Sequence, residues 1–176
     1  MSDDVVDELM EFFEWMWETE HGFVYLPTEL NGAWRKRMYI WPKQKRAVVR
    51  AVLESEALGA NCFYSPALFE AAQPVKKDVK GSFVFWVDFD GNAPEEATAP
   101  VPEPHLRVQS SLPGHEHWYW KLDAFITDVK TIDEHNRALA YQLHADTSGW
   151  DADQLLRPIH TTNRKRNLPV VVKRWD

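Results

Sequence analysis

Ser82-Phe-Val-Phe-Trp-Val-Asp-Phe-Asp90 is the stretch whose reading decides the fold. It is bounded by Gly81 on one side and Gly91-Asn92 on the other, is rich in Val and aromatics, and is too short and apolar to be anything but a buried, central strand. A strand repeats every two residues, so Asp88 and Asp90 at its end point to one face while Phe89 points to the other. Two ionised carboxylates that close repel each other unless a cation lies between them, and oxygen-only ligation suits Mg²⁺ or Mn²⁺. An Asp-x-Asp pair also fits a solvated strand end or a glycosyltransferase, so by itself it fixes no activity.

Around this strand the chain reads as an α+β domain with a mostly antiparallel sheet flanked by helices. Upstream, Asp4 to Trp17 places Val5, Leu9, Phe12, Phe13 and Met16 at helical spacing with acids opposite, an amphipathic helix that packs. Phe23 to Tyr25 and Arg37 to Trp41 flank Asn31-Gly32 and read as an antiparallel hairpin with a loop longer than two residues. Lys43 to Leu58 reads as a helix with Val48, Val49, Val52 and Leu53 inward. Downstream, residues 92–104 carry four prolines and three glutamates with almost nothing to bury, and are expected to form a mobile surface loop. Strands at His105 to Gln109 and His117 to Leu122 follow, joined by a turn at Pro113-Gly114. Thr131-Ile-Asp-Glu134 is a capping-box pattern opening a helix through Leu139 and Leu143, after which the tail reads as loops.

Bulk properties narrow the chemistry. A length of 176 residues with 44% hydrophobic content suits one domain spanning 1–176. The single Cys62 excludes an internal disulfide and a cysteine-built metal site, leaving oxygen and imidazole ligands. No apolar stretch reaches the roughly 18 residues of a membrane span, and the acidic start is the wrong charge for a secretory leader, so no membrane partner and a cytoplasmic protein are expected. The net charge of −7 argues against unselective nucleic-acid binding. Its distribution is uneven: eight acids fall in the first twenty residues, whereas Arg35, Lys36, Arg37, Lys43, Lys45, Arg46 and Arg50 interleave with Trp34, Tyr39 and Trp41. Bases beside exposed aromatics suit a single strand of DNA, and equally suit a solvated helix face. Nine Trp in a chain of this length imply that some stand half exposed at a binding face.

Two further segments can carry chemistry. In Ser110-Ser-Leu-Pro-Gly-His-Glu-His117-Trp-Tyr-Trp120 the strand period puts His117, Tyr119 and Lys121 on one face and Trp118, Trp120 and Leu122 on the other. His117 then faces the polar side, with His115 as its competitor. In Ala145-Asp146 to Lys165 an acid follows a helix, a second acid, Asp151, stands five residues on, and a basic, amide-rich loop could clamp phosphates through Arg157, Asn163 and Lys165.

Taken together and in this order, these motifs resemble the archaeo-eukaryotic primase (AEP) superfamily, and within it the RepB-like replication primases of plasmids and phages. Ser111-Leu-Pro113-Gly114-His-Glu-His117 followed by Trp-Tyr119-Trp120 is similar to the second motif of those proteins with Leu112 inserted. Ala145-Asp146 to Arg157 and Thr162-Asn163-Arg164-Lys165 are similar to the third, except that Pro158-Ile-His160 stands where the family carries a Leu-Pro-Gly-like turn. The resemblance covers about Ser82 to Lys165.

The resemblance implies an RRM-like AEP core and template-directed nucleotidyl transfer with two metal ions, Mg²⁺ or Mn²⁺. Asp88, Asp90 and Asp146 are the implied ligands, with Asp151 in reserve as the third. It implies that His117 contacts the triphosphate of an NTP or dNTP and that Arg157, Asn163 and Lys165 touch phosphate or sugar. The implied partners are a single-stranded DNA template and primer. Phage relatives continue beyond the point matching Asp176, which implies an excised core working with a replicative helicase or a C-terminal helper domain. The same acids would also serve a metal-dependent nuclease, and a catalytically silent DNA-binding replication protein could keep the fold.

Overall fold

The computed structural model describes residues 3–176. Helix α1 (Asp3–Trp17) forms where the apolar spacing predicts it and buries Leu9, Phe12, Phe13 and Met16. Strand β1 (Gly22–Tyr25) runs into a small hairpin of β2 (Thr28–Leu30) and β3 (Ala33–Arg35), which turns at Asn31-Gly32, and β4 (Met38–Trp41) returns to pair antiparallel with β1. The expected single hairpin is thus two: the outer pair joins the main sheet, and the inner pair forms a three-stranded sheet with β5 (Asn61–Cys62). Both central turn residues have positive φ, 52° at Asn31 and 82° at Gly32, as a tight reversal requires. Helix α2 (Lys45–Ala57) buries Val48, Val49 and Val52.

Strand β6 (Leu68–Phe69) leads to the long β7 (Val79–Asp90), then β8 (Leu106–Gln109), β9 (His115–Ile126) and helix α3 (Val129–Gln142). The tail, expected to be loops, adds a short ladder of β10 (Thr162–Asn163) and β11 (Leu168–Pro169) and an edge strand β12 (Val171–Trp175). The last shows no alternation because every residue but Trp175 is exposed, which leaves no period to read. The main sheet has the order β12-β8-β9-β7-β6-β1-β4, with each pairing antiparallel, so β7 is its central strand. The α+β architecture of a mostly antiparallel sheet with flanking helices is the one observed. No helix among the described residues is long and apolar enough to cross a membrane.

The period-two pattern of β7 separates two cores. Val84 and Trp86 share one with Leu106, Val108 and Tyr119 and with the apolar faces of α1 and α2, closed by a hydrogen bond of 2.8 Å from the Tyr64 hydroxyl to that of Tyr119. Val87 and Phe89 lie in the other with Trp118, Trp120, Ala140 and Leu143. Val101 is buried in this second core, and Trp120 Nε1 donates to Pro102 O at 2.9 Å, so residues 92–104 are attached to the body at their far end. Helix α3 starts three residues before the expected capping box: Asp128 is the N-cap and accepts from Lys130 N, while Thr131 Oγ1 donates to the same carboxylate. Asp competes well for that position, and Thr131 falls within the first turn.

Strand β6 covers only the start of β7, at Val79 and Gly81. The rest of that edge is buried, and its backbone groups are satisfied by other means. Ser82 Oγ serves both Val84 N and Val84 O, Asn136 Oδ1 accepts from Trp86 N at 2.9 Å, and Asp146 N donates to Asp88 O at 2.8 Å. Asn136 is fully buried and also donates to Trp150 O, tying α3, the central strand and the loop after α3 together. Asn136→Leu leaves the Trp86 amide unpaired in the core, and is expected to cost about 1–3 kcal/mol of unfolding free energy in urea titration.

Candidate active site

The register of the central ladder places Asp88 opposite His117 and Asp90 opposite His115. Asp88 and His117 continue the face that buries Val84, Trp86 and Tyr119, so the site opens where the larger core ends. Phe89 turns to the other face and is fully buried against Trp118, as the strand period predicts. Gly114 makes the reversal before β9 possible: with φ at 83°, a Cβ there would lie 2.7 Å from Gly91 O. The backbones of Gly91 and Gly114 meet through a hydrogen bond of 3.1 Å, which sets the spacing between the second motif and the acid-bearing strand end.

One cleft is lined by Asp88, Asp90, His115, His117, Asp146, Arg157, Asn163 and Lys165, with Ser110, Ser111 and Arg166 beside them. Residues far apart in the chain therefore converge, including each one singled out for catalysis, metal or nucleotide. Asp151 does not line this cleft. It pairs with Lys76 at 2.5 Å, and Lys76 also holds Asp133 at 2.7 Å, a network that fastens the loop to α3. Glu116 lies on the opposite face, 2% exposed and hydrogen-bonded by Arg107 and Trp118. Burial works to raise its pKa, but the bonds from Trp118 and Arg107 hold it below the ordinary carboxylate value. The two histidines thus flank a buried ion pair, which has no part in the cleft.

The electrostatics are those of a crowded anionic site with cations on its rim. Asp88 has its pKa pushed up to about 7, first by burial and then by Asp146 and Asp90, with Arg157 acting in the opposite direction. His117, 4% exposed, has its pKa pushed down to about 3 by burial and then by Arg157, so it is neutral at working pH. Its Nε2 lies 3.6 Å from Asp88 Oδ1, and its buried Nδ1 has no partner among the described residues. Asp146 accepts from Ser148 through both the hydroxyl, at 2.8 and 2.9 Å, and the amide, at 2.8 Å. Asp90, 83% exposed, is turned to His115 Nδ1 at 2.9 Å. Among the described residues no three His, Cys, Asp or Glu side chains are gathered closely enough to form a finished metal cage. The donor set nevertheless fits a hard divalent cation: three carboxylates line one cleft, and the most buried of them is driven towards protonation first by burial and then by the other two.

Arg157 is half-buried. Burial lowers its pKa from the usual value, with Asp88 opposing. Its Nη2 donates to Asn61 Oδ1 and Asn163 Oδ1, each at 3.3 Å, and its guanidinium carbon lies 4.4 Å from the centre of the Phe63 ring. Asn163 Nδ2 in turn donates to Ser110 O, linking the second and third motifs. Asn61 and Phe63 carry no local pattern that marks them, and only their tertiary contacts with Arg157 do. The Pro158-Ile-His160 departure still makes a reversal, with His160 taking a φ of 59°, a position glycine adopts more easily, and with His160 Nε2 2.6 Å from Glu8 Oε2.

The basic stretch divides into two places. Trp41 is fully buried with its Nε1 donating to Glu18 O, and Tyr39 is half-buried, so neither offers a stacking surface. Lys43 lies in the turn before α2, and Lys45 and Arg46 in its first turn, where Lys45 pairs with Glu14 at 2.5 Å. Arg35, Lys36 and Arg37 stay with Trp34 on the small hairpin, and Trp34 is 58% exposed. Of the three aromatics in the stretch, Trp34 is the one whose ring stays exposed.

A central β7 carrying two acids, a neighbouring β9 carrying a buried His, and a following loop that adds a third acid and a cationic rim make up the cleft of this α+β fold. Three solved structures share the fold. The AEP domain of the cyanophage S-2L primase-polymerase superposes with a TM-score of 0.73 at 10% identity, covering 97% of this chain and 90% of that one. The primase RepB' gives a TM-score of 0.70 at 15% identity over 97% of this chain and 56% of its own length. The catalytic domain of RepB' in complex with initiator DNA gives 0.68 at 18% identity over 98% and 86%. No family model and no curated protein sequence matches the chain. The fold of this chain is that of the AEP primase domain.

Because Asp88 is protonated at higher pH in the folded than in the unfolded chain, the folded state keeps a proton between about pH 4 and pH 7 that the unfolded state has lost, and stability falls as pH rises through that window. In metal-free protein Asp88→Asn is expected to remove this loss and to gain about 1–3 kcal/mol over wild type at neutral pH, the gain fading towards pH 4. Urea unfolding at a series of pH values measures it; a variant that gains nothing at neutral pH contradicts the crowded-acid description.

Proposed function

We propose that this chain is the catalytic domain of a DNA primase or primase-polymerase of the AEP superfamily, a nucleotidyltransferase that extends a strand on a single-stranded DNA template. The observation that carries the reading is the convergence of Asp88, Asp90, Asp146, His117, Arg157, Asn163 and Lys165 in one cleft of a domain with this fold. Solved relatives described as primases, one of them bound to initiator DNA, support it.

Asp88, Asp90 and Asp146 would hold Mg²⁺ or Mn²⁺, which when bound supplies charge neutralisation for a triphosphate and for the attacking 3′-hydroxyl. The chain's own residues do the rest. Arg157, Lys165 and Arg166 line the cleft with fixed positive charge suited to the phosphates of an NTP or dNTP. Neutral His117 keeps one ring proton to donate to a phosphoryl oxygen; an imidazolium in this place would compete with the metal for Asp88. Asn163 acts through Arg157 and Ser110, fixing the guanidinium over Phe63 so that it does not collapse onto Asp88. In-line displacement asks for positioning and charge stabilisation, which these residues offer without moving a proton between protein groups. The working partners in this reading are template and primer, with a replicative helicase or helper domain in the cytoplasm where phage or plasmid replication takes place.

Synthesis on primed and unprimed single-stranded templates, with Mg²⁺ or Mn²⁺ and all eight nucleotides, tests the reading. Wild type is expected to form metal-dependent product, and Asp88→Ala with Asp90→Ala to form none while remaining folded; product on the unprimed strand identifies a primase. Labelled DNA incubated with metal but without nucleotides stays intact in this reading, and its degradation would assign the same acids to a nuclease. Arg157→Lys keeps the charge but loses the planar fork, and is expected to raise KM for the nucleotide about tenfold, the scale of one charge-assisted hydrogen bond. Equal KM in wild type and variant would remove Arg157 from nucleotide binding.

A further inference from the structure

The small three-stranded sheet has two faces, and one of them leads into the cleft. Its register sets Trp34 opposite Glu29 and Glu29 opposite Asn61, so these three form a row across the sheet, and Phe63 lies two residues beyond Asn61 on the same face. The row is built. Glu29 accepts from Asn61 Nδ2 and from Gly32 N, and Asn61 accepts from Arg157. The Trp34 and Phe63 rings are stacked with centroids 5.3 Å apart and planes 24° apart, and Arg157 lies 4.4 Å from the centre of the Phe63 ring. Phe63 is thus occupied by Trp34 and Arg157. Trp34, 58% exposed and far the most open Trp or Phe of the described chain, keeps a free ring surface.

We propose that Trp34 is a stacking site for an unpaired base of single-stranded nucleic acid, held beside the catalytic cleft by the Trp34, Phe63 and Arg157 stack. Three features select this occupant. An indole ring backed by a second aromatic is rigid and offers a π-face that every base can meet, which gives sequence-tolerant binding. Arg35, Lys36 and Arg37 are next to it in the chain, on a protein whose net charge is −7, so positive charge is concentrated where a backbone would run. The stack ends on Arg157, which lines the cleft, so a base on Trp34 belongs to a strand whose neighbouring nucleotides reach the acids. The proposal gives the small hairpin inserted between β1 and β4 a purpose, since Trp34 stands on it and contributes nothing to either core. It deepens the reading above by naming the element that receives the strand.

The test is the affinity of wild type, Trp34→Ala and Trp34→Phe for a fluorescently labelled oligo-dT, for an oligonucleotide of the same length with abasic residues, and for a duplex, measured by anisotropy without nucleotides. Trp34→Ala is expected to weaken oligo-dT binding roughly five- to a hundredfold, the range seen when a base-stacking aromatic is removed. Trp34→Phe should recover most of it. On the abasic strand all three proteins should bind alike, because only the base meets the ring. Removing Arg35 and Arg37 instead should weaken both strands and flatten the dependence on salt, which Trp34→Ala leaves unchanged. Equal affinity of wild type and Trp34→Ala for oligo-dT, equal losses on the abasic strand, or no binding by wild type would each overturn the proposal. So would a wild-type dimer that Trp34→Ala dissolves, which would make the ring a contact between copies of this chain. Failure of this inference and of the polymerase reading are separable: metal-dependent synthesis unaffected by Trp34→Ala sinks only the first, and Trp34-dependent binding without synthesis sinks only the second.

Discussion

The open edge of the central strand is the constraint on which the site depends. β7 is twelve residues long, but β6 pairs with only its beginning, so buried backbone groups from Val84 to Asp88 need partners from outside the sheet. A seryl hydroxyl, a buried asparagine and the amide of Asp146 supply them. The last of these bonds fixes the third acid against the first. The spacing of the acids is here a by-product of satisfying a strand, and the loop that carries Asp146 cannot drift without leaving the Asp88 carbonyl unpaired in a half-buried place.

The same economy appears on the cationic side. Arg157 is buried enough to lose part of its proton affinity, yet it is held by two asparagine oxygens and an aromatic ring and, among the described residues, by no carboxylate at contact distance. A guanidinium paired directly with Asp88 would be stable and useless for binding an anion. Keeping the two apart leaves a surplus of negative charge on the acids and of positive charge on the rim, and both surpluses are what the proposed metal-bound triphosphate would meet. The cost is a site that is poorly stabilised when empty, seen in the elevated pKa of Asp88 and in the unpartnered Nδ1 of His117.

The nine tryptophans show how composition can mislead when position is ignored. Trp17, Trp41, Trp86 and Trp118 are essentially fully buried, and Trp17, Trp41 and Trp118 bury their N–H on a carbonyl or carboxylate oxygen, so they build cores. The interleaved bases and aromatics of residues 34–46 are continuous in sequence, but a strand and a helix start divide them, and Trp34 stays exposed on the small hairpin, stacked on the Phe63 ring that Arg157 covers.

The sequence by itself determined the central strand, the face shared by Asp88 and Asp90, the face shared by His117 and Tyr119, and the helices α1 and α2. All of these rest on local periods of two or 3.6 residues that a run of side chains records directly. Its order of motifs also pointed to the AEP fold. The tertiary structure alone decided that Asp146 stands in the cleft while Asp151 pairs with Lys76, that Asn61 and Phe63 hold Arg157, and that the chain's tail adds an edge strand. None of these has a local signature. Each is set by which distant groups satisfy a buried donor, acceptor or charge, and that depends on how the whole chain is packed.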